Sequence, residues 1–371
     1  MHNAAAPQDA AATGSTPPAP GAASALAGLR ARSLTARAWN RFRRNRLGFA
    51  SLALFAVMLA VSLAAELLSN ERPVVARYQG RLYVPMLNDP TDAALGGALP
   101  TPADWFDPSL LQRFQRGTGN WMISPLNPHG PRSVDFNSTT TFPAPPDRKN
   151  WLGTDERGRD VGAELLYGFR VSVLFGLALT AIGTMIGIVA GAVQGYFGGR
   201  IDLIGQRLIE IWSGLPELYV LIVVASLFEP SIAVMLLILS LFGWISLADY
   251  VRAEFLRNRN LDYVKGARAL GLTPVQVMAR HVLPNSLTPV ITFLPFRMSD
   301  AMLTLAALDF LGLGVAESLP SLGDLLRQGH DNLYAWWISV PAFALLVVTF
   351  LLLTFMGNAL RDAFDPRQDA S

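Results

Sequence analysis

The chain has 371 residues, 51% hydrophobic and 16% charged, with mean hydropathy +0.33 and a formal net charge of +2. A soluble domain of this length is not so apolar; the composition reads as an all-α, multi-pass membrane protein. There is no cysteine, which excludes disulfides, thiolate metal sites and cysteine nucleophiles, and His2, His129, His281 and His330 fall at no metal-ligand spacing.

Residues 1–29 are rich in Ala, Pro, Gly and Ser and read as a disordered tail, without the basic start and compact apolar run of a signal peptide. Residues 30–68 pair a basic segment with a first transmembrane helix. Arg30, Arg32, Arg37, Arg41, Arg43, Arg44 and Arg46 precede an apolar run from Leu47 to Leu68. Such a cluster can bind nucleic acid, but directly before a span it follows the positive-inside rule. No nucleic-acid partner is expected; membrane lipids are.

Residues 69–168 form a large external module. Ser69 to Leu152 holds twelve of the 25 prolines, which argues for irregular structure with short strands. Tyr78, Tyr83, Trp105, Phe106 and Trp121 make it an aromatic-rich candidate for partner docking. Gly153-Thr-Asp-Glu-Arg-Gly-Arg-Asp160 follows. Its acids miss the spacing of a calcium loop and read as a polar cap on the next helix.

Residues 169–371 form the transmembrane domain. Val171–Val193 is the second span, and Gly183, Gly187, Gly191 and Gly195 give it a groove that admits a neighbouring backbone. A third span is expected from about Leu203 to Phe228, with Pro216 and Glu217 near its middle. An intramembrane carboxyl is costly, so Glu217 serves either a pathway or an interhelix bond. Ser231–Ala248 is the fourth span. Ser286–Leu313 is the fifth, kinked at Pro289 and Pro295, with Arg297 and Asp300 able to pair on one face. Asp309 closes it in the run Leu308-Asp-Phe-Leu-Gly-Leu-Gly314. Glu217, Arg297, Asp300 and Asp309 are therefore candidates for lining or bracing a path. Val315–Asp331 is expected outside and partly re-entrant, and Tyr334, Trp336 and Trp337 as interfacial anchors before the sixth span, Ile338–Met356. Six spans and the arginine cluster put both termini in the cytoplasm.

The loop 251–285 between the fourth and fifth spans organises the chain. Asn260 is a candidate N-cap, with Tyr263, Ala267 and Leu270 on one helical face. Gly271 supplies a left-handed stop. Thr273-Pro-Val-Gln276 has the form of a capping box with proline in the first turn, then Val275, Met278, Ala279 and Val282 make a second stripe that Pro284 ends. On periodicity alone this is a basic amphipathic elbow, and it suits lipid headgroups as well as a partner.

No Gly-x-x-x-x-Gly-Lys-Ser/Thr phosphate loop is present, the two lysines being Lys149 and Lys265, and no Gly-x-Ser-x-Gly nucleophile elbow. The chain is not read as an enzyme. A secondary transporter or channel stays as the remote alternative, although no internal repeat supports one.

The spacing of Lys265-Gly266-Ala267, Gly271 and Leu283-Pro284 resembles the Glu-Ala-Ala loop of binding-protein-dependent ABC importers. Lys265 stands for the Glu, Gly266 for the first Ala, and His281 at the Ile position. The Gly153–Asp160 stretch resembles a signature of dipeptide and oligopeptide permeases, as do Gly195-Tyr-Phe-Gly-Gly and Leu360-Arg-Asp-Ala-Phe-Asp-Pro366. The Trp-Leu-Gly-Thr-Asp run and Gly243-Trp-Ile-Ser-Leu resemble most the Yej-type oligopeptide and microcin C importer permeases. The resemblance implies a type I ABC importer permease (MetI-like) fold in the bacterial inner membrane, importing oligopeptides, including microcin C-like ones. Dipeptides or nickel are the near alternative. It further implies a heterodimer with a second permease and a periplasmic substrate-binding protein. Separate ABC ATPase subunits would hold ATP and Mg, and the elbow would dock on them as a coupling helix. The chain itself would hold no cofactor or metal and do no catalysis.

Overall fold

Uncharged runs in this chain fold as helices, which satisfy their own backbone polar groups. The computed structural model describes residues 36–364 except 106, 117–118, 135–140, 230 and 316–318. The tail at 1–29, Arg30, Arg32, Phe106, Pro230 and the closing run beyond Phe364 lie outside the described residues.

The helices in chain order are α1 (residues 36–44), α2 (Arg46–Leu63), α3 (Ala65–Leu68), α4 (Pro108–Arg116), α5 (Val161–Phe197), α6 (Gly199–Ser213) and α7 (Glu217–Leu227). They continue with α8 (Ile232–Phe242), α9 (Ile245–Asn258), α10 (Asp262–Ala269), α11 (Pro274–Val277), α12 (Leu283–Phe310), α13 (Leu322–Asp331) and α14 (Trp336–Phe364). Among the described residues five stretches are long and apolar enough to cross a membrane: Arg46–Leu63, Val161–Phe197, Ile232–Asn258, Pro274–Phe310 and Trp336–Phe364.

The expected third span is not one helix. It is broken at Gly214-Leu215-Pro216, where α6 stops and Pro216 becomes the N-cap residue of α7. Proline lacks the N–H that a continuous helix needs and disfavours helical backbone in the residue before it. The 11 residues of α7 reach only about 16 Å, short of a roughly 30 Å hydrocarbon core.

The bundle centres on α5, which begins at Val161, earlier than expected because Asp160 caps it by accepting from the Ala163 N–H at 2.8 Å. The glycine groove of α5 receives α9. A Cβ on Gly191 would lie 2.4 Å from the Ala248 carbonyl oxygen, and one on Gly195 2.6 Å from that of Arg252. Gly187 meets Trp244 and Leu247 in the same way, and Gly183 meets Gly243. The four-residue repeat thus marks one continuous backbone-to-backbone seam.

The segment 69–152 is not all irregular. Val75–Tyr78, Arg81–Tyr83 and Trp121–Ile123 form an antiparallel sheet, β1, β2 and β3, in the order β2-β1-β3. Tyr78 and Trp105 are not surface residues: they pack with Leu110 and Phe114 of α4 into a small separate core. Trp121 does stay exposed.

At the far end of the chain, Phe42 of α1 packs against Ala359 and Ala363 of α14, so the two ends of the described chain lie together. Pro289 and Pro295 sit inside α12 without interrupting it. The segment expected to be partly re-entrant contains a packed helix, α13, with Leu322 and Leu325 fully buried against α5, α12 and α14. Tyr334 and Trp336 are exposed, whereas Trp337 is buried and donates from Nε1 to the Thr154 carbonyl at 3.3 Å.

Candidate functional site

The elbow follows α9. Its first helix starts at Asp262 after Leu261, which has no capping side chain; the expected cap, Asn260, instead donates back to the Leu256 carbonyl. Gly271 adopts φ +83°, the left-handed turn foreseen for it. Thr273 and Gln276 complete the capping box, with Pro274 in the first turn of α11. The next residues, Met278–Val282, wind as a π-turn. Pro284 does not end the helix: it follows the π-turn closely, inside one helical run from Pro274 to Phe310.

The face of the elbow turned to the bundle is Val264, Ala267, Val277 and Val282, packed on Tyr196, Val251 and Phe255. Tyr263, Leu270 and Val275, which the apolar spacing groups with Ala267 and Val282, face outward, with Leu270 82% and Val275 67% exposed. The apolar residues of α10 are spread over two faces, and only one fits against α5 and α9. Lys265 and Gly266 are exposed, and Lys265 reaches only Asp262 at 3.4 Å. Leu283 is half-buried at the foot of α12 and Pro284 is exposed.

The base of the elbow is tied down. Arg259 donates to the carbonyls of Gly195 and Tyr196 at 3.2 Å each, at the end of α5. Arg268 lies over the Tyr196 ring at 4.7 Å. Asn258 donates to Ser286 at 3.0 Å, joining α9 to α12. Asp202 accepts from Arg252, which holds its carboxyl below the usual range.

A second feature lies within the bundle. Leu179 and Thr180 of α5, Glu217 of α7, Leu239, Gly243 and Ser246 around the α8–α9 break, and Arg297 and Asp300 of α12 line a cleft of about 180 Å³. Three of the four candidate pathway residues therefore meet there. The expected Arg297–Asp300 ion pair is absent among the described residues. Arg297 donates instead to the Gly243 carbonyl and to Ser246 Oγ, because the break between α8 and α9 leaves that carbonyl without a helical partner. Asp309 is not in the cleft.

Residues 183–370 match the family model described as "binding-protein-dependent transport system inner membrane component", and residues 33–85 match the "N-terminal TM domain of oligopeptide transport permease C". The chain is 47% identical over 330 residues to the inner membrane ABC transporter permease protein YejE of Escherichia coli, covering 89% of this chain and 96% of that protein. The chain belongs to the binding-protein-dependent ABC importer permeases. This permease is also 42% identical over 358 residues to a peptidoglycan transport system permease protein YejE of Agrobacterium fabrum, covering 90% of this chain and 93% of that one. Among solved structures it matches an inward-facing MetNI methionine ABC transporter with TM-score 0.46 and 17% identity, over 54% of this chain and 96% of that chain.

The permease also carries a site that the polar-cap reading of Gly153–Asp160 did not include. The Gly153–Asp160 stretch builds a buried charge network at the end of the bundle opposite the elbow. Arg159 bonds Asp155 through Nη2 at 2.7 Å and Nε at 2.8 Å, and pairs with Glu164 at 2.8 Å. Asp324 of α13 lies 3.7 Å from Arg159 and accepts from Gln328 at 2.8 Å. Gln328 in turn accepts from the Glu156 N–H at 3.1 Å. Burial disfavours the charge of Arg159, but Glu164 and Asp155 more than offset this and raise its pKa above the ordinary value. The network welds the loop module, α5 and α13 together. Asp309 works nearby, accepting from the Val315 N–H at 2.8 Å and from Ser321 Oγ, so it fastens the end of α12 to the start of α13. Gly314 and Gly323 leave room for its carboxyl, where a Cβ would collide.

Proposed function

We propose that this permease forms half of the translocation path of an ATP-driven oligopeptide importer of the bacterial inner membrane. The elbow passes the ATPase motion into the membrane. The observation that carries this reading is the elbow itself: its base is fixed to α5, α9 and α12, while Tyr263, Leu270 and Val275 stand exposed on the opposite face. An exposed apolar face on a rigid mount suits a partner groove. Lys265, Gly266, Ala267, Gly271, Leu283 and Pro284 make the loop that docks on the ATPase subunit. That subunit, not this chain, holds ATP and Mg. A second permease completes the path, and an external binding protein delivers substrate to the module 69–152. Peptides are the substrate class, in keeping with the peptidoglycan and dipeptide transport permeases among its relatives.

The mechanism follows from stiffness. The 37-residue α5 is about 55 Å long and runs from the elbow to the Arg159 network. The glycine seam locks α9 to it. A push on the elbow therefore moves α5 and α9 as one body, and the network carries that motion to α13 and the loop module. Chain parity supports a type I arrangement with six crossings. Phe42 packs on α14, so both ends of the described chain share one side, and an even number of crossings is needed. The broken pair α6–α7 supplies the sixth. Both termini and the elbow are then cytoplasmic, and reporters fused at Gly119 and Arg259 give opposite signals.

The test is peptide uptake into proteoliposomes holding this permease, its partner permease, the ATPase and the binding protein. Uptake requires ATP hydrolysis. Uptake that persists with a hydrolysis-dead ATPase, or with this chain alone under an ion gradient, overturns the reading in favour of a secondary transporter.

A further inference from the structure

We infer that α1 is a lipid-binding helix: its outer face, with Arg46 at the start of α2, holds the headgroups of acidic phospholipids in the adjoining leaflet. This goes beyond the import reading and holds whatever the permease carries.

The helix α1 is a separate element and not the first turns of the span. Asn45 stands between α1 and α2 with an extended backbone, ψ 97°, and caps α2 by accepting from the Gly48 N–H at 3.0 Å. The mounting of α1 fixes which side stays free. Ala38 and Phe42, four residues apart on one face, are buried, and Phe42 packs against Ala359 and Ala363 of α14. Gly48 sits against Ala359 as well, with no room there for a Cβ. The free side is basic. Arg43, Arg44 and Arg46 are exposed, and among the described residues none of them forms an ion pair or hydrogen bond. No Asp or Glu occurs between Asp9 and Glu66, so the local sequence supplies no counter-charge.

The neighbours of these arginines say what covers them. Leu47 and Phe49 are exposed and open the apolar surface of the α2 span, which meets acyl chains. Trp39 is exposed too, stacks on Phe42 at 5.7 Å, and lies one turn from Arg43. Exposed apolar side chains, an indole and free guanidinium groups side by side match the boundary between acyl chains and headgroups. Guanidinium forks suit phosphate oxygens. A zwitterionic headgroup cancels its phosphate with its own cation, so an acidic headgroup is the better partner.

The test uses the assembled complex in nanodiscs of phosphatidylcholine, with a fluorescent non-natural side chain at Asn40, exposed on the free side of α1. Trace phosphatidylglycerol or phosphatidylcholine, each with the same nitroxide on its acyl chain, quenches it. Quenching is expected to favour phosphatidylglycerol. The preference should fall up to about fivefold for each of Arg43→Gln, Arg44→Gln and Arg46→Gln, and fall also as salt is raised. Arg37 and Arg41 are kept so that the span inserts the same way. The fluorophore placed instead at Leu333, exposed between α13 and α14, should show no preference. A preference that the triple variant keeps at equal insertion overturns the inference. Equal quenching by the two lipids does so too, as does quenching by neither, which would put α1 in water or against another subunit. The same preference at Leu333 would mean general enrichment around the complex and also overturns it. Where the triple variant does not assemble, a preference of the unaltered complex that salt leaves unchanged is the contrary result.

Discussion

Two groups of charge in this permease sit in different surroundings and are bonded accordingly. Around Arg159, Asp155, Glu164 and Asp324 surround one guanidinium and Gln328 links Asp324 to the Glu156 N–H, with Glu164 held as an ion pair. In the cleft, Glu217 and Asp300 form no hydrogen bond or ion pair among the described residues, and Arg297 turns to a backbone carbonyl. The first group joins segments remote in sequence and is structural. The second lines an open cleft and joins only Arg297 to the α8–α9 break. A paired buried network stabilises a joint, whereas the exposed Asp300 and half-buried Glu217 keep access to solvent and need no such partner.

Substitutions separate the two. Arg159→Met strands Asp155 and Glu164 in a buried site, and is expected to cost about 3–5 kcal/mol. The check is thermal melting of the solubilised complex, where a variant melting with the unaltered protein would break the contrast. Gly191→Val presses on the α9 backbone and should cost about 1–3 kcal/mol in the same assay. Asp309→Asn leaves one of its two donors, Val315 N–H or Ser321 Oγ, unsatisfied at about 1–3 kcal/mol. Asp300→Asn, at an exposed carboxyl that bonds no described residue, should stay within about 0.5 kcal/mol. Equal melting of the two Asp→Asn variants would erase the distinction. The smallest effect is in pH. The Asp202 carboxyl is held below its usual value by Arg252, so its contribution is present above the unfolded pKa of about 3.9 and is lost as pH falls through the lower folded value. Asp202→Asn should flatten the melting temperature in that acid window and leave it unaltered in shape near neutrality.

The legible parts of the chain were those with local causes. Gly271, the Thr273–Gln276 box and the glycine groove of α5 each follow from neighbouring residues, and each is found in the structure. Pro216 was visible too, but the apolar length around it masked the break it makes. What the sequence left open depends on distant partners. The Gly153–Asp160 stretch has its meaning in Asp324 and Gln328 of α13 and Trp337 of α14, far along the chain. Which face of the elbow is buried depends on the surface that α5 and α9 offer it, so Val264 lies inward and Leu270 outward. The Arg297–Asp300 pair failed for the same reason, since the carbonyl at the α8–α9 break competes for the guanidinium.

The central claim is that the exposed face of the elbow meets an ATPase. The most direct measurement places a photo-crosslinking side chain at Leu270 in the assembled complex, with Leu237 of α8, 63% exposed, as the control within the membrane. The account predicts a crosslink from position 270 to the ATPase subunit and none from position 237. Position 270 crosslinking only to lipid, or to the partner permease, would contradict it.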